Sequence, residues 1–234
     1  MSIGDNIIAV YCRAGAFARA MPLVVALPIA VEAARHAAIV RGWTSRDAAL
    51  GFTLLSTLTM LTVLVAAVRW WRFDGDGDRV WRLEWRVLWG VLLMMTIQLI
   101  DEILFTTAGH IFADLAGGGR MFFVGGAQLL WLFVSVPLFP WYVAMMSEDM
   151  LTLPQSLKAI RPRWFHIFGV IFGALLPILA IGSAVRSLSP DGGLEQAVVA
   201  LISGVVIATT MLITDSAYFA AYRIVRPPAD AGVA

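Results

Sequence analysis

The sequence predicts an all-α polytopic membrane protein: a bundle of six transmembrane helices preceded by an amphipathic helix at the interface. Three observations carry that expectation. The 234 residues are 60% hydrophobic and 14% charged, where soluble domains are roughly half apolar and a quarter charged. The apolar residues fall in continuous runs of about 20, the length that crosses a bilayer as a helix. No run shows the ten-residue alternation of a membrane β-barrel. A mean hydropathy of +0.82 also excludes a disordered chain. The net charge of +1 offers nucleic acid no electrostatic footprint, and the single Cys12 excludes an internal disulfide framework.

The elements follow in order. Residues 1–20 carry Asp5, Asn6, Arg13 and Arg19 and lack the core of a cleaved signal peptide. Ile7, Ile8, Tyr11, Ala14 and Ala18 recur at helical spacing, so the segment reads as an interfacial helix. Gly15 shares that face, and Pro22 turns the chain into the first span. The spans are expected over 21–40, 49–68, 87–108, 122–146, 165–184 and 197–222, with a short tail at 227–234. Short connections leave one membrane domain without a soluble one. Pro28, Pro137 with Pro140, and Pro177 predict kinks in spans one, four and five. Gly169, Gly173 and Gly182, with Ala174 and Ala180, predict close packing of span five.

Orientation follows from the cations. Arg13, Arg19, Arg69, Arg72, Arg79, Arg82, Arg86, Lys158, Arg161, Arg163, Arg223 and Arg226 fall on one side, twelve of the 17 basic residues. Arg35, Arg41, Arg46, Arg120 and Arg186 fall on the other. The positive-inside rule then places both termini in the cytoplasm. Trp70, Trp71, Trp81, Trp85 and Trp164 sit at the same boundaries, where indole rings favour the headgroup level.

After span four, Glu148-Asp149 is followed by an amphipathic, basic segment over 155–160 and then by Arg163-Trp164-Phe165. The chain ends its last span on Ala217-Tyr218-Phe219-Ala220-Ala221-Tyr222-Arg223. Over residues 137–226 this resembles bacterial six-span proteins related to the membrane domain of glycerophosphodiester phosphodiesterases. Pro162 departs from that pattern, which places a helix-compatible residue there. The resemblance implies the six-helix fold and not the phosphodiesterase activity, because it does not reach that catalytic domain. Relatives of this kind are integral membrane proteins without an assigned reaction.

Ionisable groups inside a bilayer are costly and are therefore the candidate functional residues. Glu32, Arg35 and His36 share one face of span one through i, i+3 and i, i+4 spacing. Asp101 and Glu102 lie in span three at a similar depth, about 9–12 Å below the outer boundary. Three readings of these five residues stay open: an ion-pair network joining two spans, a proton or ion site, and a metal site extended by His110 and Asp114. Neither the His-Glu-x-x-His nor the Glu-x-x-His pattern is present. Asp215, about two turns from the inner end of span six, is expected to meet Thr209, Thr210, Thr214 or Arg19. It is the natural inner station of any proton path.

Asp74-Gly75-Asp76-Gly77-Asp78 fails the EF-hand template, with Arg79 and Trp85 at the positions that need Gly and Glu, and reads as a solvated turn. Gly117-Gly118-Gly119-Arg120 lacks the Lys-Ser/Thr of a phosphate loop, and no nucleophile–histidine–acid set is evident. The expected function is a non-catalytic membrane-complex subunit or an envelope- or lipid-associated accessory protein. The alternatives are a small proton- or ion-coupled permease and an intramembrane metal-dependent enzyme. The expected partners are the lipid bilayer and other membrane subunits or a second copy, with no nucleic acid and no cofactor.

Overall fold

The computed structural model describes residues 2–40, 42, 45–82, 84–111, 118–188 and 193–226. Within them, the side chains of 40, 46, 47, 49, 101, 102, 105, 106, 108–110, 118–122 and 186 lie outside the description. The described residues are helical and contain no strand. Four helical stretches are long and apolar enough to cross a membrane: Pro22–Ile39, Leu50–Arg72, Leu153–Val185 and Gly193–Val225. A bent pair, Phe123–Ser135 with Leu138–Met146, makes a fifth if it counts as one span. Trp85–Ile100 is a shorter apolar helix. The chain divides into two compact units, Met1–Arg82 with Val170–Ala220, and Leu83–Gly169 with Ala221–Ala234.

The first unit opens with α1 (Ile3–Ala20), started by a reciprocal cap. Ser2 Oγ accepts from Asp5 N–H at 3.1 Å, and Ser2 N–H donates to the Asp5 carboxylate at 2.9 Å. Those hydrogen bonds from Ser2 hold the Asp5 carboxyl below its ordinary range. The helix buries Asn6, Val10, Ala14 and Phe17, while Ile8 is 64% exposed. Of the apolar face expected from the sequence, Ala14 is buried and Ile7, Tyr11 and Ala18 are half-buried. Asn6 tolerates the inward position because its side-chain amide donates to Ser2 O at 3.0 Å.

α2 (Pro22–Val40) and α3 (Arg46–Arg72) form a hairpin. Pro28 does not break α2, nor does Pro177 break α9 (Trp164–Arg186). The long last helix, α10 (Gly193–Val225), approaches α2 so closely that a Cβ on Gly204 would lie 2.7 Å from the Ile29 carbonyl oxygen. On α9, a Cβ on Gly173 would lie 2.7 Å from Ile7 Cδ1, and one on Gly182 would lie 3.4 Å from Val206 Cγ1. These are close approaches of the kind small residues permit.

After α3 the chain turns through Asp74 and Gly75, both at positive φ, into the short α4 (Gly77–Trp81). Asp76 caps α4 by accepting from Asp78 and Arg79 N–H. The acidic turn therefore serves as a helix start. Arg69 is fully buried beneath it. Its guanidinium donates to Arg79 O at 2.6 Å and Val80 O at 3.0 Å, and stacks on Phe73 at 5.0 Å. The end of α4 leaves carbonyls without helical partners, and this arginine supplies the donors.

The second unit holds α5 (Trp85–Ile111), α6 (Gly118–Ser135), α7 (Leu138–Met146) and α8 (Leu153–Ile160). A 3-10 turn at Arg161–Arg163 leads into α9. The break between α6 and α7 is 58° and falls at Val136-Pro137. Pro137 has no N–H, so the Phe133 carbonyl four residues earlier loses its helical donor. Trp164 Nε1–H donates to that carbonyl at 3.1 Å, with its ring 5.4 Å from the Phe133 ring. Fully buried Ser156 donates to Pro137 O at 2.8 Å. Pro137 thus breaks a helix where Pro28 and Pro177 do not, and indole and hydroxyl donors from the next elements serve the opened backbone.

Trp164→Phe keeps an aromatic ring there but removes the donor. It should destabilise the protein by about 1–3 kcal/mol in chemical unfolding in detergent. Trp89→Phe, at a ring 50% exposed, should change stability by less than about 0.5 kcal/mol. Equal effects of the two would contradict this account of the bend.

Candidate functional site

The carboxylates expected inside the membrane fall in three places. Glu32 is buried on α2, at 4% exposure. Ser56 Oγ–H on α3 donates to Glu32 Oε1 at 2.5 Å, and Arg35 Nε lies 3.1 Å from Glu32 Oε2. Both carboxylate oxygens are therefore engaged, one across the hairpin and one within α2. Arg35 is 43% exposed, and its guanidinium supplies the countercharge of the buried carboxylate. His36 is partly exposed and makes no hydrogen bond or ion pair among the described residues. Asp101 and Glu102 lie on α5 with side chains outside the described residues, and so does the anticipated pairing of Arg35 with them. The His110 side chain and Asp114 fall outside as well. Among the described residues, no group of three or more His, Cys, Asp or Glu side chains could hold a metal ion.

Ser56 was not singled out in the sequence, although a signal was available. Glu32 and Ser56 are symmetric about the α2–α3 turn, so an antiparallel hairpin brings them to one depth. Ser56 also begins a short polar stripe with Thr59, and both are buried. Thr59 Oγ1 donates to Ser56 O at 2.9 Å. The hydroxyls of α3 thus serve its own backbone or the single acid opposite.

Asp215 lies on α10 about 15 Å along the helix before its end at Val225. It is 3% exposed, and its Oδ2 has no hydrogen-bond partner among the described residues. Three of the four partners expected from the sequence are engaged elsewhere, and Thr209 does not reach it. Thr210 donates to Val206 O and Thr214 to Thr210 O, while Arg19 donates to Gly15 O. Hydroxyls of threonine on a helix find the carbonyl one turn back within the same helix. Arg19 satisfies its own helix at an exposed position.

Around Asp215, α1 is fastened to α10. Ser216 Oγ–H donates to Val10 O at 2.9 Å, and Arg13 Nη1–H donates to Ser216 O at 3.4 Å. The Arg13 guanidinium lies 5.3 Å from the Phe219 ring. Trp71 Nε1–H donates to Arg13 O at 3.2 Å, and Tyr11 O–H donates to Ala174 O at 2.7 Å on α9. Phe17 packs edge-on against Trp70 and Trp71. The arrangement is a clamp made of side-chain donors on backbone carbonyls, with one unpartnered carboxyl oxygen beside it.

In the second unit, the adjacent acids Glu148 and Asp149 differ in role. Asp149 Oδ2 accepts from Tyr222 O–H at 2.9 Å and lies 3.5 Å from Arg226 Nε. Glu148 takes a positive φ of 59° and turns the chain out of α7. Comparison with protein-family models, with curated proteins and with solved structures finds no match for this chain.

The two contacts to Glu32 differ in charge and so in weight. Ser56→Ala should cost about 1–3 kcal/mol of stability, because a buried carboxylate oxygen loses its donor. Arg35→Ala should cost more, about 3–5 kcal/mol, because it leaves a buried carboxylate without its countercharge. Unfolding in detergent measures both, and the reverse order would contradict the assignment.

Proposed function

We propose that this chain is a six-span integral protein of a bacterial inner membrane, with both termini cytoplasmic and α1 at the interface. In this reading α5 is the third span and the bent α6–α7 pair the fourth. It acts as a non-catalytic subunit of a membrane complex or as an envelope- or lipid-associated accessory protein, without a cofactor. The observation that carries this is the engagement of polar side chains in holding helices together. Glu32 is closed by Ser56 and Arg35, while Ser216, Tyr11, Trp71, Trp164 and Ser156 all donate to backbone carbonyls. Large exposed apolar side chains, such as Leu23 at 82% and Leu194 at 81%, are then for lipid or neighbouring subunits. The likeness to the six-span relatives of phosphodiesterase membrane domains supports the same class.

One observation favours a second reading. Asp215 is a buried carboxyl with an unpartnered oxygen inside a candidate span, which is the placement of proton-relay acids. A small proton-coupled permease would use it as its inner station.

Proteoliposomes carrying a trapped pH-sensitive dye separate the two. The accessory reading predicts proton flux equal to that of empty vesicles, unchanged by Asp215→Asn. Flux well above empty vesicles that Asp215→Asn abolishes would overturn it in favour of the permease.

A further inference from the structure

The connection between α7 and α9 and the last turn of α10 meet at one end of the second unit. Asp149 joins Tyr222 and Arg226, and Arg163 Nη1–H donates to the Ile224 carbonyl. Arg223 lies between Tyr222 and Ile224 in the chain, so the same contacts bring it to the segment that carries Lys158 and Arg161. All three are exposed. None makes a hydrogen bond, ion pair or ring contact among the described residues. The acids of this connection are already engaged, Asp149 by Arg226 and Tyr222, and Glu148 by an interaction of its own.

Apolar side chains border these cations. Phe165 is 79% exposed and Leu157 43% exposed, the first on the opening turn of α9 and the second on α8 beside Lys158. α8 buries Ser156 and Ile160 on its other side. Unpaired cations beside outward-pointing Leu and Phe, at the end of a candidate span, have the composition of a segment lying at a lipid headgroup layer.

We infer that Lys158, Arg161 and Arg223 form a binding surface for anionic phospholipid headgroups, with Leu157 and Phe165 set into the acyl boundary beside them. The phosphates of the lipid supply the negative charge that no carboxylate among the described residues of this surface supplies. Zwitterionic lipid, whose headgroup carries its own cation, gains less there. The inference rests on the membrane embedding proposed above, and resistance of the wild-type chain to carbonate extraction tests that embedding separately.

The test uses the full chain, purified in detergent and mixed with equimolar phosphatidylglycerol and phosphatidylcholine, then released for native mass spectrometry. Wild type should retain phosphatidylglycerol over phosphatidylcholine by about a hundredfold. Removing charge should lower that preference by about fivefold per residue, so Lys158→Gln/Arg161→Gln/Arg223→Gln should bring it to parity with an unchanged circular dichroism spectrum. Lys158→Arg/Arg161→Lys/Arg223→Lys should keep it. If the triple glutamine variant does not fold, Arg161→Gln alone should show the fivefold loss. Equal retention of the two lipids by wild type would overturn the inference and leave these cations to an acidic protein surface. An undiminished preference in a folded glutamine variant would overturn it equally.

Discussion

The constraint on which this structure depends is that a backbone carbonyl without a donor cannot be left in an apolar interior. The chain opens such carbonyls at Phe133, where Pro137 removes a helical N–H, and at Arg79 and Val80, where α4 ends. Each is met by a long side chain from elsewhere, Trp164 in the first case and Arg69 in the second. The same chemistry joins helices that have no opened turn. Ser216 and Tyr11 donate to carbonyls of facing helices, Val10 and Ala174, and Trp71 donates to Arg13 O. In a lipid-like setting, apolar contact between helices competes with equally apolar lipid tails. Directional donors of this kind then decide which helix faces meet.

That economy of polar groups bears on function. A catalytic or transport site needs polar atoms free to meet a substrate, and here most buried ones already have protein partners. Glu32, the most conspicuous acid in the sequence, is closed by a hydroxyl across the hairpin and a guanidinium one turn along. Among the described residues Ser147 Oγ departs from the rule, and so does Asp215, with a buried carboxyl oxygen that lacks a hydrogen bond. It stands next to Ser216, the residue that fastens α1. Any activity linked to Asp215 would therefore act at the helix whose position α1 clamps.

Helix positions were legible because hydropathy over about 20 residues is a strong signal, and the long α3, α9 and α10 fall where apolar runs predict them. Which proline breaks its helix was not legible. Pro28, Pro137 and Pro177 look alike in sequence, and the difference at Pro137 is the presence of Trp164 and Ser156, remote in the chain, to serve the opened backbone. On α1, Val10 and Phe17 are buried and Ile8 is exposed, and the hydrogen bond of Ser216, some 200 residues later, to Val10 O could not be read from their spacing. Ser56 escaped notice because, among the several hydroxyls of α3, only the depth it shares with Glu32 across the hairpin marks it. Arg69 was counted among the boundary cations, yet it is buried under α4. In the candidate site the acids were found, and of their partners only Arg35, three residues from Glu32, follows from spacing, while Ser56 is set by tertiary approach.

The most direct test of this account is backbone amide hydrogen exchange of the detergent-solubilised protein, wild type against Ser216→Ala. If side-chain donors on carbonyls hold α1 in place, exchange should accelerate along residues 3–20 of the variant, while α2 and α3 keep their protection. Unchanged protection of α1 would contradict the account, and would mean that apolar packing of Val10, Ala14 and Phe17 suffices without the clamp.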